Sequence, residues 1–159
     1  MSNFTFQLAC TKDLPEIMAI YHSLIGTSGC TWSLDYPNAE IASEDIENRR
    51  LYILRQDAKI VAVASAGAWG DWDHLPWTPQ NPCDLARIGV APAMQGQGIG
   101  TLMLRHIIAE MNRQGFDGMK FVVSKTNPAA LALYDKNGFE RCGETVAFGI
   151  DWYCYQMVF

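Results

Sequence analysis

Three groups of residues in this chain have types and spacings that could do chemistry. The first is Gln95-Gly96-Gln97-Gly98-Ile99-Gly100-Thr101. Glycines at alternate positions let a main chain come close to a ligand. Ile99, Leu102, Met103, Ile107, Ile108 and Met111 then recur at three- and four-residue steps, with Gly115 beyond, which predicts a helix and its C-cap. The unpaired N–H groups and positive dipole end of a helix start favour an anion, so the turn reads as a phosphate cradle, with a plain structural turn as the alternative. The second group is Asn127 and Tyr134, seven residues apart on a short helix capped by Asn127, opened by Pro128 and ended by Gly138. That spacing is about two turns on one face. Periodicity alone favours a half-buried packing role for Tyr134. The third is the segment Gly70 to Pro82, which carries Asp71, Trp72, Asp73, His74 and Trp77 among prolines. Paired carboxylates and indole faces suit a cationic amine, and His74, or Asp73 through a water, could take its proton. The alternative is that Trp72 and Trp77 pin the loop to the core and its charges are solvated.

The cradle can be narrowed by elimination. A Walker A loop needs a Lys-Ser/Thr pair after its last glycine, and Gly100 is followed by Thr101-Leu102. A dinucleotide fingerprint fails because its third glycine would fall on Thr101 or Met103. What remains, Gln95-Gly96-Gln97-Gly98-Ile99-Gly100, resembles the Gln/Arg-x-x-Gly-x-Gly/Ala motif of the GCN5-related N-acetyltransferases. Their next helix reads Asn-x-x-Ala-x-x-Leu-Tyr-x-Lys-x-Gly-Phe, and this chain is similar at Asn127, Ala130, Leu133, Tyr134, Lys136, Gly138 and Phe139.

The resemblance implies a fold, a co-substrate and roles. The fold is the acyl-CoA N-acyltransferase type of α/β structure, with a mixed central sheet and helices on both faces. Acetyl-CoA would be the donor, with no metal. Its pyrophosphate would lie on Gln95 to Thr101, and its pantetheine between two splayed strands, against the backbone of Ile88, Gly89 and Val90 and beside Asn127. One N–H of that strand would serve an oxyanion. Tyr134 would be the general acid at the sulfur. The chain departs from the family at the base: many members carry Glu four residues before the position of Val90, and here that residue is Ala86. Asp84, two residues further back, is the substitute on the same strand, with Asp73 and His74 as competitors. Trp32, Trp72 and Trp77 are the candidates to line the acceptor site.

The function expected is transfer of an acetyl group to a primary amine of a small molecule, by direct attack in a ternary complex. A protein or peptide N-acetyltransferase is the nearest alternative enzyme. A catalytically silent acyl-CoA-binding module is the alternative from another class, permitted by Ala86 and opposed by Tyr134. Cys30, in the loop Thr27 to Pro37, lacks a neighbouring His or Asn and is a poor nucleophile candidate.

Stepping from Phe4 onward, the pattern predicts β-α-α-β-β-β-α-β-α-β-β over one domain, residues 1–159. Asp13-Leu14-Pro15-Glu16 reads as a capping-box-like start of the first helix. With 159 residues and 49% hydrophobic content, one sizeable core is the default. A net charge of −5 without a basic block argues against nucleic acid or an anionic membrane as partner. No apolar run approaches the ~20 residues of a spanning helix, and the N-terminus lacks the pattern of a signal peptide. Five scattered cysteines suggest free thiols and a cytoplasmic location. Relatives in the family often form homodimers, so a homodimer is a further expectation.

Overall fold

The computed structural model describes residues 3–159. Met1 and Ser2, at the head of the stretch read as lacking a leader, lie outside the described residues. The chain runs β1 (Phe4–Leu8), α1 (Leu14–Leu24), α2 (Ala39–Glu47), β2 (Leu51–Gln56), β3 (Lys59–Gly67) and β4 (Pro82–Val90). It continues with α3 (Ile99–Arg113), β5 (Gly118–Ser124), α4 (Pro128–Lys136), β6 (Glu140–Ala147) and β7 (Ile150–Val158). The expected alternation holds throughout, with boundaries moved by a few residues.

All seven strands form one sheet in the order β1-β2-β3-β4-β5-β7-β6. Every neighbouring pair is antiparallel except β4–β5, so the sheet is mixed, as expected. One face packs against α1 and α2 through Ile17, Tyr21, Leu51, Ile53 and Val63. The other packs against α3 and α4 through Leu54, Ala62, Met103, Ile107 and Tyr134. With helices over both faces, β2 and β3 need apolar residues at successive positions, which is why Leu51 to Leu54 and Ile60 to Ala64 are all buried.

Two irregularities shape the middle of the sheet. β4 pairs with β5 only where Pro82, Cys83 and Asp84 face Gly118, Met119 and Lys120; beyond that the strands part. On its other edge β4 carries a bulge, since Val63 faces Gly89 but Ser65 faces Ala86. Arg87 sits in that bulge with φ 51°, and the extra residue re-aims its side chain.

One capping expectation is corrected. The reciprocal pair is Cys10 with Asp13, one turn earlier than expected: the Asp13 carboxylate accepts from the Cys10 N–H at 2.9 Å. Glu16 instead accepts the Ile60 N–H at 2.7 Å, tying α1 to β3.

Candidate active site

The parting of β4 and β5 opens a cleft of about 650 Å³. Its walls are Leu85 to Val90 of β4 and Phe121 to Ser124 of β5, with the glycine turn and α4 at one end and Thr27 to Trp32 at the other.

At the first end, Gly96 and Gly98 hold left-handed φ values of 77° and 80°. Their hydrogens point into open space: a Cβ at either would meet nothing within 4 Å. The N–H groups of Ile99, Gly100 and Thr101 begin α3 and have no acceptor inside it. A turn with alternating left-handed residues and unpaired amides forms an anion-binding concavity. Gln95 and Gln97 brace it by donating their side-chain amides to the Val90 and Ala93 carbonyls at 3.1 and 3.4 Å. Gly100 serves close approach, since its Cβ would lie 3.3 Å from the methyls of Leu133 on α4. Asn137 then locks the two helices, donating to Thr101 Oγ1 at 3.1 Å and to the Leu133 carbonyl at 2.7 Å. Sequence reasoning missed Asn137; its one signal is its place just before the helix-ending Gly138.

Asn127 caps α4, its Oδ1 accepting the Ala130 N–H at 3.2 Å, which leaves its NH₂ group to donate into the cleft it lines. Tyr134 also lines the cleft and is only 4% exposed. Its ring is clamped by Phe121, Phe139 and Tyr155 at centroid distances of 4.5, 5.7 and 5.7 Å. Burial, with the Tyr155 hydroxyl nearby, pushes the Tyr134 phenol well above its ordinary range and keeps it protonated. On β4, the Ala91 N–H donates to Val61, so strand alternation turns the N–H groups of Ile88 and Val90 to the open edge.

At the second end, Gly89 lets β4 lie against α1, where a Cβ would be 2.7 Å from Leu24 Cδ1. Gly29, at φ 77°, lets the 27–32 segment rest on the β5–α4 turn, where a Cβ would be 2.3 Å from the Thr126 carbonyl oxygen. Trp32 lines this end as expected and meets Tyr21 edge-on at 5.5 Å. Arg87 lines it as well, and sequence reasoning missed it. Its guanidinium reaches Asp45 at 2.9 and 3.1 Å, donates to the Tyr36 hydroxyl at 3.0 Å and lies 5.4 Å from the Trp69 ring centroid. Burial works against its charge, but Tyr36 and Asp45 more than offset that and push its pKa up. Asp45 is fully buried and accepts also from Arg50 at 2.8 Å and Ser65 at 2.7 Å. The available signal was an arginine between the apolar pairs Leu85-Ala86 and Ile88-Gly89, too weak without its partner 42 positions away.

The expected base residues are elsewhere. Asp84 is 3% exposed at the closed end of β4–β5 and does not line the cleft. One of its oxygens accepts the Trp69 and Gly70 N–H groups at 2.9 Å each, and the other is paired with Lys120. Asp73 is drawn onto the same lysine at 2.9 Å. The loop from Gly70 to Pro82 is a strap over this closed end: Trp77 donates to the Trp72 carbonyl at 2.8 Å, and Gln156 accepts the Thr78 N–H at 2.9 Å. Asp71, Trp72, Asp73, His74 and Trp77 are therefore outside the cleft lining, and Trp72 approaches it only through Trp152, 6.3 Å away between centroids. Among the described residues, no Asp, Glu or His lines the cleft; its titratable side chains are Cys30, Arg87, Tyr134 and Lys136.

Residues 17–139 match the sequence profile described as Acetyltransferase (GNAT) family. The chain belongs to that family. It is 27% identical over 148 residues to the L-methionine sulfoximine/L-methionine sulfone acetyltransferase of Pseudomonas paraeruginosa, covering 89% of this chain and 83% of the relative. It is 30% identical over 131 residues to the [ribosomal protein bS18]-alanine N-acetyltransferase of Escherichia coli, covering 82% and 77%. Among solved structures, yncA from Salmonella typhimurium, an acetyltransferase holding acetyl-CoA, superposes with a TM-score of 0.79 at 23% identity, over 99% of this chain and 94% of that one. The GNAT protein is thus an acetyltransferase by family and by the names of its relatives. Among its described residues, no helix is long and apolar enough to cross a membrane.

Proposed function

We propose that this acetyltransferase moves an acetyl group from acetyl-CoA to the primary amine of a small molecule, by direct attack in a ternary complex in the cytoplasm. The observation that carries the reading is the parting of β4 from β5 directly above the glycine cradle, with Tyr134 lining the gap. The cradle fits a pyrophosphate: open space at Gly96 and Gly98, unpaired first-turn amides, and Lys136 on the same lining. The open edge at Ile88 and Val90 and the free NH₂ of Asn127 fit an amide-bearing arm. When bound, acetyl-CoA supplies an already activated thioester.

The chain's own residues have three tasks. The cradle and the β4 edge hold the donor in place, which removes much of the entropic barrier. An N–H of Ile88 or Val90 donates to the carbonyl oxygen as negative charge develops there. Tyr134, kept protonated by burial, donates its proton toward the departing sulfur. The amine's own proton has no carboxylate or imidazole to receive it among the residues lining the cleft. We therefore assign its removal to water, helped by Arg87, since a cation nearby disfavours an ammonium. The acceptor best served is an amine less basic than a lysine side chain, whose ammonium titrates near ~10.4.

Small acceptors are favoured because the 27–32 segment closes onto Thr126 and Asn127. The bS18-alanine relative makes a peptide N-terminus the second reading. The test is release of free thiol from acetyl-CoA with amino acids, peptide N-termini and polyamines, together with acetyl-CoA binding by calorimetry. Coenzyme binding without thiol release from any amine would turn the reading into that of a silent binding module.

A further inference from the structure

Resting on that reading, we infer that Arg87 is the specificity residue of the acceptor site and recognises a carboxylate next to the reacting amine, so that the acceptor is a free α-amino acid. Four observations carry this. First, the charged side chains lining the cleft are cations only, and Lys136 belongs to the cradle end, which leaves Arg87 as the charge at the acceptor end. A cationic lining discriminates against polyamines and favours an acceptor that carries its own negative charge.

Second, the buried network beneath it is unbalanced. Asp45 is one carboxylate serving two guanidiniums, Arg50 and Arg87, and the further partner, Glu44, is 3.6 Å from Arg50 with its side chain 62% exposed. The surplus positive charge falls to Arg87, which lines the cleft with its side chain 7% exposed.

Third, the guanidinium is held ready. Its Nε and one N–H of Nη2 go to Asp45, and one N–H of Nη1 goes to Tyr36. Of five N–H groups, one on each terminal nitrogen is left over, a pair suited to the two oxygens of a carboxylate. Trp69 fixes the plane, with Arg50 over the same ring at 4.9 Å.

Fourth, the spacing along β4 fits an α-carboxylate. The N–H groups assigned to the thioester carbonyl belong to Ile88 and Val90, one and three residues beyond Arg87. At ~3.3 Å per residue the two stand ~3 and ~10 Å along the strand from Arg87, and the nearer, Ile88, sets the reacting carbonyl within reach of a carboxylate one carbon from the amine. The bulge that gives Arg87 its φ of 51° aims it toward α2, the side from which Leu24 and Trp32 wall the acceptor end. An N-terminal peptide has an amide at that place and offers no charge to Arg87.

The experiment measures kcat/KM by thiol release for a panel of L-amino acids, including L-methionine sulfone, against the matching amides and decarboxylated amines. Wild-type protein is expected to prefer the acids by about 10–100-fold, the scale of one charge-assisted pair of hydrogen bonds. The amide's amine is the weaker base and is more often unprotonated at neutral pH, so such a preference would not arise from proton availability. Arg87→Gln should bring the acid-to-amide ratio close to one. Asp45 keeps Arg50 and Ser65 in that variant, so it is expected to fold, which thermal melting checks. Arg87→Lys is measured too, and because it keeps the charge without the paired N–H groups it should lose most of the discrimination. Equal use of acids and amides by wild type, or an unchanged ratio in either variant, overturns the assignment while leaving an N-acetyltransferase. Thiol release with none of the amines overturns the proposed function, and the assignment falls with it.

Discussion

At the end of the cleft proposed for the coenzyme almost every polar group on offer is main chain: the amides from Gly96 to Thr101 and the open edge at Ile88 and Val90. At the end proposed for the acceptor the polar groups are side chains gathered from distant parts of the sequence, with Arg87 of β4, Asp45 of α2 and Tyr36 of the preceding loop in one cluster. A main-chain site is specified by where glycine is allowed and where a helix begins, and both are local. A side-chain site is specified by long-range packing and can be exchanged residue by residue without disturbing the sheet. The first arrangement suits a donor that stays the same, and the second an acceptor that differs between relatives.

The comparison is broken most directly at Tyr134, which both ends need. Tyr134→Phe removes one hydroxyl from a ring held on three sides, so folding and acetyl-CoA affinity should change little. Turnover should fall by about 10²–10⁴, the range for loss of a general acid. A kcat unchanged while chemistry limits the rate would make Tyr134 a packing residue. At the closed end, Asp84→Ala should remove about 3–5 kcal/mol of stability, because it leaves Lys120, 2% exposed, with only the solvent-exposed Asp73 as counter-charge. Its acceptor KM should stay near wild type if the protein folds; urea denaturation and steady-state kinetics separate the two effects.

Gly98→Val tests the coenzyme end alone. The folded chain has room for the side chain, but a branched residue is strained at φ 80° and projects where an anion would lie. Loss of two charge-assisted amide contacts corresponds to an affinity drop of roughly 10²-fold or more, read by calorimetry. Wild-type affinity in a folded variant would remove the assignment of the turn.

The same contrast explains what could be read from the sequence. The order of elements, the glycine turn opening α3, and the helix bearing Asn127 and Tyr134 were legible because each depends on neighbours within a few positions: periodicity, caps and glycines. The acceptor end was not. Asp73, His74, Trp72 and Trp77 looked functional because carboxylates and indoles were concentrated in a loop. What sequence could not show was that Lys120, buried on β5, draws Asp73 and Asp84 to itself. Arg87 was overlooked for the converse reason. Its partner Asp45 lies on α2 among the exposed Glu40, Glu44 and Glu47, yet Asp45 is the one turned fully inward. Tyr21, whose hydroxyl is a buried polar atom with no hydrogen-bond partner among the described residues, gave no signal at all.

The smallest expected effect sharpens the comparison most, because it asks whether the strap takes any part in the chemistry. Asp73 has a side chain 70% exposed and a single ion pair, to Lys120, so Asp73→Asn should alter stability by no more than about 1 kcal/mol. Neither it nor His74→Gln touches the cleft lining, and both should leave kcat/KM within about twofold of wild type. The pH profile is the more telling readout. If water removes the amine's proton, kcat/KM rises with the ionisation of the acceptor itself, and the apparent pKa moves with each amine offered. A protein base would instead impose one pKa on every acceptor. On the alkaline side Tyr134 should produce no falling limb below about pH 10, the ordinary range of a phenol, because burial raises its pKa and the protonated form is the active one. An apparent pKa that is independent of the acceptor and vanishes in His74→Gln would return the base to the strap. A pKa that follows the amine, unchanged in both variants, leaves the strap as the clamp that holds β4 against β5 at one end while they part at the other.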